Sequence, residues 1–258
     1  MKNLLILFSV FLISCPMARA QQKRKLVWFD EFNYTGLPDS KKWDYESGFV
    51  RNKEPQYYTT KRLENSRVEN GMLVIEARKE QYAGAAYTSA SLITKGKQEW
   101  KYGRMEIRAK VPPGLGIWPA FWMLGYNHGT VKWPDCGEID IMEFLGRDST
   151  RVHGTVHYAD STQTYRHQTQ EAVVGKPADG FHIYAVDWDE NQLAFYYDDL
   201  KYFVFDFNKA ANPPGDMFKK KFYLLLNLAL GHPNTWAGPL DEKALPAKYY
   251  IDYVRVYQ

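Results

Sequence analysis

The chain has 258 residues, is 45% hydrophobic and 16% aromatic, and carries a formal charge of +3 with eight Trp and nineteen Tyr. That is enough apolar material for one sizeable core, in the size range of a single all-β domain. The near-neutral balance argues against nucleic acid or an acidic polymer as the partner.

The first twenty residues read as a secretory leader. Lys2 supplies the positive start, residues 4–13 form an apolar run, and Ala18-Arg19-Ala20 is a small-x-small cleavage signature that leaves Gln21 as the mature terminus. The run is too short to span a bilayer. Leu12-Ile13-Ser14-Cys15 also fits a lipoprotein box with Cys15 acylated. The expected locations are therefore secreted or periplasmic, with a lipid anchor at the cell surface through Cys15 as the alternative. Without Lys2 and Arg19 the charge falls to +1. No later apolar run reaches membrane length. Cys136 is the one cysteine beyond the leader, which excludes an intramolecular disulfide, and it reads as a small buried hydrophobe. Residues 21–258 are expected to form a single domain and to act as a monomer.

Beyond residue 25 helical periodicity is scarce. Short β-branched and aromatic runs, punctuated by Gly, Pro, Asn and Asp, predict strands over 26–32, 72–78, 89–94, 103–111, 120–124, 138–143, 152–157, 182–188, 193–197, 222–229 and 249–257. Residues 41–43 and 216–221 read as charged loops or short helices. Many short strands without a linker or repeat indicate an all-β sandwich or barrel. Trp118, Trp122, Trp133, Trp188 and Trp236, with Tyr57, Tyr58 and Tyr158, exceed what one core requires. Aromatic faces stack on the flat C–H faces of sugar rings, whose hydroxyls need polar partners.

The segment GEIDIMEF (137–144) places three acids among core-type residues. On a strand, Glu138 and Asp140 share a face and Glu143 falls on the other by parity. One extra residue at Ile141–Met142, a β-bulge, returns Glu143 to their side. Buried unpaired carboxylates cost several kcal/mol each, so three converging acids imply an open cleft, a metal or shared protons. Three readings stay open from spacing alone: a glycosidase carboxylate pair with Asp140 between, a Ca²⁺ site, or a solvated acidic face.

WPDCGEIDIMEFLG (133–146) resembles the active-site signature of glycoside hydrolase family 16 in its laminarinase-like bulged form, E-x-D-x-x-E. GIWPAFWMLG (116–125) resembles the segment before it. RNKEPQYYT (51–59), NGMLVIEARKE (70–80), YGRMEIRAKVPPG (102–114), HGTVHY (153–158), FYLLLNLALG (222–231) and IDYVRVYQ (251–258) follow the same family order. The resemblance implies a β-jelly roll of two stacked antiparallel sheets with a substrate cleft across the concave face. It implies endo-hydrolysis with retention of a β-glucan: β-1,3-glucan, mixed-linkage β-1,3-1,4-glucan, or both.

Carried onto matching positions, Glu138 is the nucleophile, Glu143 the general acid/base and Asp140 the residue assisting the nucleophile. Trp118 and Trp122 line the non-reducing side of the cut, Asn52 and Arg108 contact hydroxyls there, His157 lies beside the catalytic strand, and Trp236 borders the cleft. No cofactor is implied for catalysis. A structural Ca²⁺ on the convex side, far from the chemistry, is implied at Glu31, Gly71 and Asp252 with backbone oxygens contributing, and mere pairing of the first and last strands is the alternative. Gly231-His232-Pro233-Asn234 departs from the family's usual glycine pair, which leaves the shape of one cleft wall open. Agarose, carrageenan or xyloglucan are the rival substrates, although xyloglucan-acting relatives generally lack the extra residue present as Met142. A non-catalytic glucan-binding sandwich is the rival from another class; it predicts a broken acid pair, and all three acids are intact.

Overall fold

The structure, a computed structural model, describes residues 24–258; the leader and Cys15 lie outside the described residues. Seventeen strands run in chain order: β1 (Leu26–Asp30), β2 (Asp44–Tyr45), β3 (Gln56–Tyr58), β4 (Ser66–Glu69), β5 (Met72–Tyr82), β6 (Ala85–Ser89), β7 (Ser91–Ile93), β8 (Gly103–Lys110) and β9 (Ile117–Gly125). They continue with β10 (Glu138–Glu143), β11 (Arg151–Ala159), β12 (Tyr165–Val173), β13 (His182–Trp188), β14 (Gln192–Tyr197), β15 (Leu200–Asp206), β16 (Phe222–Leu230) and β17 (Ala247–Tyr257). Three short 3-10 turns are the only helical pieces among the described residues, one of them Met217–Lys219 within the charged segment 216–221.

The strands form two stacked sheets, a β-jelly roll. The outer sheet runs β15-β14-β13-β8-β17-β5-β6-β3, with β1 paired to β17 and β4 to β5; the inner sheet runs β12-β11-β10-β9-β16-β7-β2. All pairings are antiparallel except β3 with β6. The core lies between the sheets, and alternation decides which side chains enter it. On β8, Met105, Ile107 and Ala109 are fully buried, so Arg104, Glu106, Arg108 and Lys110 point to the convex outside. On β9, Phe121 and Met123 are fully buried on the core side, and Trp118, Ala120, Trp122 and Leu124 take the concave face. β16 is buried along its whole length because the core covers one face and the cleft and its loops cover the other.

The first strand is anchored at Asp30, which is 1% exposed. Its carboxylate accepts the Trp43 indole N–H at 2.9 Å, the Tyr34 hydroxyl at 3.1 Å and the Phe32 amide at 3.3 Å, and pairs with Lys42 at 3.2 Å. Trp43 and Trp100 pack edge-on against Trp28 at 5.6 and 5.1 Å. Behind β10 the backbones touch: Gly146 donates to Ile117 O at 2.9 Å, and a Cβ added at Gly146 would lie 1.7 Å from Gly114 O.

Each expected strand is present, and β2, β3, β4, β6, β12 and β15 are additional. β9 begins at Ile117 rather than 120, because Pro119 interrupts the sequence pattern without interrupting the ladder. β12 (YRHQTQEAV) is almost wholly polar, an edge strand with no apolar face to announce it. Trp188 and Tyr158 belong to the core rather than to a sugar platform; Tyr158 packs on Phe205 at 5.3 Å. Cys136 is buried at 2% exposure, and burial pushes its thiol up to about 11, so it stays an inert thiol.

Candidate active site

β10 lies in the middle of the inner sheet, and its register supplies the bulge. Against β9, Glu138 faces Leu124, Ile139 faces Met123 and Asp140 faces Trp122; the next pairs are Met142 with Phe121 and Glu143 with Ala120. Ile141 is the extra residue. The register against β11 shifts in the same place, between Asp140 and Glu143. Ile139, Ile141 and Met142 all go to the core at 0% exposure, and Glu138, Asp140 and Glu143 all face the concave side. The apolar residues hold the strand while the acids converge.

They line a cleft of about 730 Å³ with Trp118, Trp122, Trp133, His157, Asn52, Trp236, Arg51, Asn227, Tyr165 and His167 among its other walls. Each outer acid accepts an indole N–H. Trp133 Nε1 donates to Glu138 Oε2 at 3.0 Å, and Trp118 Nε1 donates to Glu143 Oε1 at 3.0 Å. Asp140 is 4% exposed, and its Oδ2 has no hydrogen-bond partner, although His157 Nε2 lies 3.2 Å away. His157 Nε2 is 3.7 Å from Glu138 Oε1, and its Nδ1 is 2.8 Å from the Tyr165 hydroxyl.

Burial raises all three carboxyls. Glu138 is pushed up to about 8, by burial first and the neighbouring Asp140 charge second; His157, Arg51 and the Trp133 N–H oppose the shift. Glu143 is raised well above the carboxylate range by burial and then by Asp140. Burial likewise raises Asp140, and its hydrogen bond with Glu138 opposes this. The three acids therefore share protons in the neutral range, with His157, Arg51 and the Trp133 N–H drawing Glu138 toward ionisation. Glu138, Asp140 and His157 each offer one ligand atom within 4.8 Å of the others. An imidazole suits Ca²⁺ poorly, since that ion takes oxygen ligands, and indole N–H donors suit carboxylates that carry charge or share protons.

Trp122 forms the floor on the other side of β10. Its Nε1 donates to Asn227 Oδ1 at 2.7 Å, Asn227 donates to the Tyr58 hydroxyl at 3.0 Å, and Tyr58 donates to Glu54 at 3.2 Å. The Arg51 guanidinium sits 4.8 Å over the Trp122 ring and is paired with Glu46, whose carboxylate also accepts from Ser91 Oγ at 2.6 Å. Asn52 and Lys53 both adopt positive φ, 54° and 55°, in a turn closed by the Glu54 amide on Arg51 O at 3.1 Å; the Asn52 amide donates to Glu54 at 3.1 Å. At the Glu143 end, Trp236 stands edge-on to Trp118 at 6.2 Å and to His153 at 4.9 Å. The departing loop at 231–234 makes a turn that brings Asn234, Thr235 and Trp236 into the cleft wall, with the His232 amide donating to Thr235 Oγ1 at 2.9 Å.

The expectation for Arg108 is corrected. It points from β8 to the convex side, 2.5 Å from Asp252 Oδ2 and 5.0 Å over the Phe181 ring, because Ile107 and Ala109 claim the inward positions. Arg104 shares that outer face and pairs with Glu106 at 2.8 Å. Among the described residues, Arg51 is the arginine that lines the cleft. Strand pairing brings Glu31, Gly71 and Asp252 to one end of the outer sheet. There Glu31 is held bidentate by Arg255 at 2.7 and 2.8 Å, and Asp252 by Arg108. A cation would have to displace both arginines, so the side chains as held do not form an oxygen cage.

Asn227, Glu46, Tyr165 and His167 complete the cleft without having been singled out by sequence. Asn227 alone left a signal, as the one polar residue in FYLLLNLAL.

Comparison with known proteins agrees with this geometry. The profile of Glycosyl hydrolases family 16 matches residues 53–255. A beta-glucanase of Rhodothermus marinus is 44% identical over 278 residues, covering 100% of this chain and 95% of its own. The X-ray structure of the laminarinase from Rhodothermus marinus superposes with a TM-score of 0.84 at 45% identity, over 91% of this chain and 97% of that one. A structure concerned with endo-acting O-glycanases of the human gut microbiota, which initiate mucin breakdown, has a TM-score of 0.84 at 35% identity over 92% of each chain. The chain belongs to glycoside hydrolase family 16.

Proposed function

We propose that the protein is a retaining endo-β-glucanase acting on β-1,3-glucan, mixed-linkage β-1,3-1,4-glucan, or both. The observation that carries this is the bulge at Ile141–Met142, which turns Glu143 onto the face of Glu138 and Asp140 inside an aromatic-walled cleft. Glu143, whose carboxyl burial and the neighbouring Asp140 raise well above the usual range, protonates the glycosidic oxygen. Glu138, drawn toward ionisation by Trp133, His157 and Arg51, attacks the anomeric carbon. Glu143, now a base, activates the water that releases the glycosyl-enzyme. Asp140, between the two, shares the protons of the cluster and keeps Glu143 from ionising early. Trp118 and Trp122 supply stacking faces, and Asn52, Asn227 and Arg51 supply polar partners for hydroxyls.

The glucan reading draws on the beta-glucanase and laminarinase likenesses. A second reading, endo-cleavage of another β-linked glycan, draws on the equally good superposition with the O-glycanase structure. New reducing ends from laminarin, barley β-glucan, agarose and a mucin-type glycan separate the two. Hydrolysis of laminarin or barley glucan is the expected result, and cleavage of the mucin glycan alone would overturn it. Glu138→Gln should remove nearly all turnover while leaving oligosaccharide binding; substantial residual hydrolysis would reject its role as nucleophile.

Among the described residues no helix is long and apolar enough to cross a membrane. Residues 1–20 support export, with Gln21 as the mature terminus and lipid attachment at Cys15 as the alternative. A Cys15→Ala variant that is still held at the membrane would exclude the anchor.

A further inference from the structure

One end of the cleft continues onto the surface through Val50, which lines it. The next residue along the chain, Phe49, is 59% exposed, and Tyr82 at the tip of the β5–β6 hairpin is 39% exposed. Tyr57 lies between them. Its ring centroid is 5.8 Å from Phe49 and 5.4 Å from Tyr82, edge-on to both. The row is built into the fold. Gly48 and Tyr58 exchange backbone hydrogen bonds at 3.0 Å in both directions, which clips the Phe49 loop onto β3. Gln56 and Tyr58 turn inward on β3, so Tyr57 must turn outward. The Arg62 guanidinium lies 5.2 Å over the Tyr82 ring and is fixed by two hydrogen bonds to Glu80, at 2.6 and 2.9 Å.

We propose that Phe49, Tyr57 and Tyr82 form a ledge outside the cleft that holds the distal part of a long β-glucan chain. This rests on the proposed function for the identity of the ligand. Val50, Arg51, Asn52 and Trp122 line the cleft, and Phe49 adjoins Val50 in the chain, so the row begins beside that end of the cleft. Its chemistry suits a sugar chain: ring faces for C–H stacking, with two phenolic hydroxyls and a guanidinium nearby for hydroxyls.

The test uses Phe49→Ala/Tyr82→Ala, whose side chains are both exposed and do not support the core. KM for long-chain laminarin should rise roughly five- to tenfold with kcat little changed, while kcat/KM for a tetrasaccharide stays within about twofold. In the Glu138→Gln background, migration through gels containing laminarin, barley β-glucan or agarose should be less retarded when the two rings are removed. Equal retardation with and without them in every gel, or kinetics that fall alike on polymer and tetrasaccharide, would overturn the ledge. A dimer that dissociates on removing the two rings would overturn it too, since the patch would then be a contact between copies. Wild-type protein that releases no reducing ends from laminarin or barley glucan fails the glucan reading instead, and the gel comparison still decides the ledge.

Discussion

Removing the Glu138 charge should abolish turnover and stabilise the fold, and the gain should depend on pH. In the folded protein Glu138 is raised from 4.5 to about 8, chiefly by burial and next by Asp140. The unfolded chain therefore releases this proton in a range where the folded chain retains it. A group raised in this way leaves stability intact below the ordinary carboxylate range and erodes it as pH climbs toward 8. A tenfold difference in proton affinity between folded and unfolded chain is worth about 1.4 kcal/mol, so for a shift from 4.5 to about 8 a neutral Gln at 138 should recover up to about 4–5 kcal/mol at pH 8.5 and almost nothing at pH 4.5. For a domain of this size that corresponds to up to roughly 8–20 °C in Tm. Gln keeps an acceptor for the Trp133 N–H, so the packing is preserved. Differential scanning calorimetry of both proteins at the two pH values gives the readout. A Tm difference that is equal at both, or a loss at pH 8.5, would refute the reading of Glu138 as a carboxylate held against its solvation preference.

The pH–rate profile of the wild type should be bell-shaped, its acid limb reporting ionisation of Glu138 and its alkaline limb loss of the Glu143 proton; a flat alkaline limb in reducing-end assays would remove Glu143 as acid. Arg51→Ala should raise KM roughly tenfold by freeing the Trp122 ring, whereas Arg108→Ala on the convex side should leave kcat/KM within about twofold; a reversed order in steady-state kinetics would return Arg108 to the site. Asp30→Ala strips the acceptor from Trp43, Tyr34 and Lys42 and should cost about 3 kcal/mol, read as a fall of roughly 6–12 °C in Tm; an unchanged Tm would show that the anchor is dispensable.

The sequence was legible where chemistry and period coincide. β8 reads G-R-M-E-I-R-A-K with strict alternation, and its structure obeys that alternation. The same alternation, applied to Arg108, already puts it on the face opposite the core; the likeness to relatives pulled it toward the cleft, and the period was the better guide. β12 and β15 lie at opposite ends of their sheets from the central strands, and β12 carries little apolar pattern, so it was invisible despite placing Tyr165 and His167 at the active site. Asn52 was legible by likeness, but the turn that aims it rests on two successive positive-φ residues, Asn52 and Lys53, closed by Glu54, and neither residue type announces that geometry by itself. The Arg51–Trp122 stack is of the same kind, since it joins a loop to a strand seventy residues away.

The bulge explains why this site could be inferred at all. A regular strand offers each face alternate residues, so a buried strand with acids at i, i+2 and i+5 breaks its own rule unless the backbone gains a residue. The gain falls on Ile141, and its cost is small because both Ile141 and Met142 still reach the core at 0% exposure. What the insertion changes is the position of Glu143: from a place in the hydrophobic interior, where it would have no partner, to one beside the Trp118 N–H and Asp140. The same step opposes Met142 to Phe121 and Glu143 to Ala120, and Ala120 is the small residue in a row otherwise made of Trp118, Trp122 and Leu124. An alanine opposite the acid leaves room where the reacting sugar must sit, and the tryptophans on either side bound that room. The bulge thus both recruits the acid and sets it against the one concave position on β9 that does not fill the cleft.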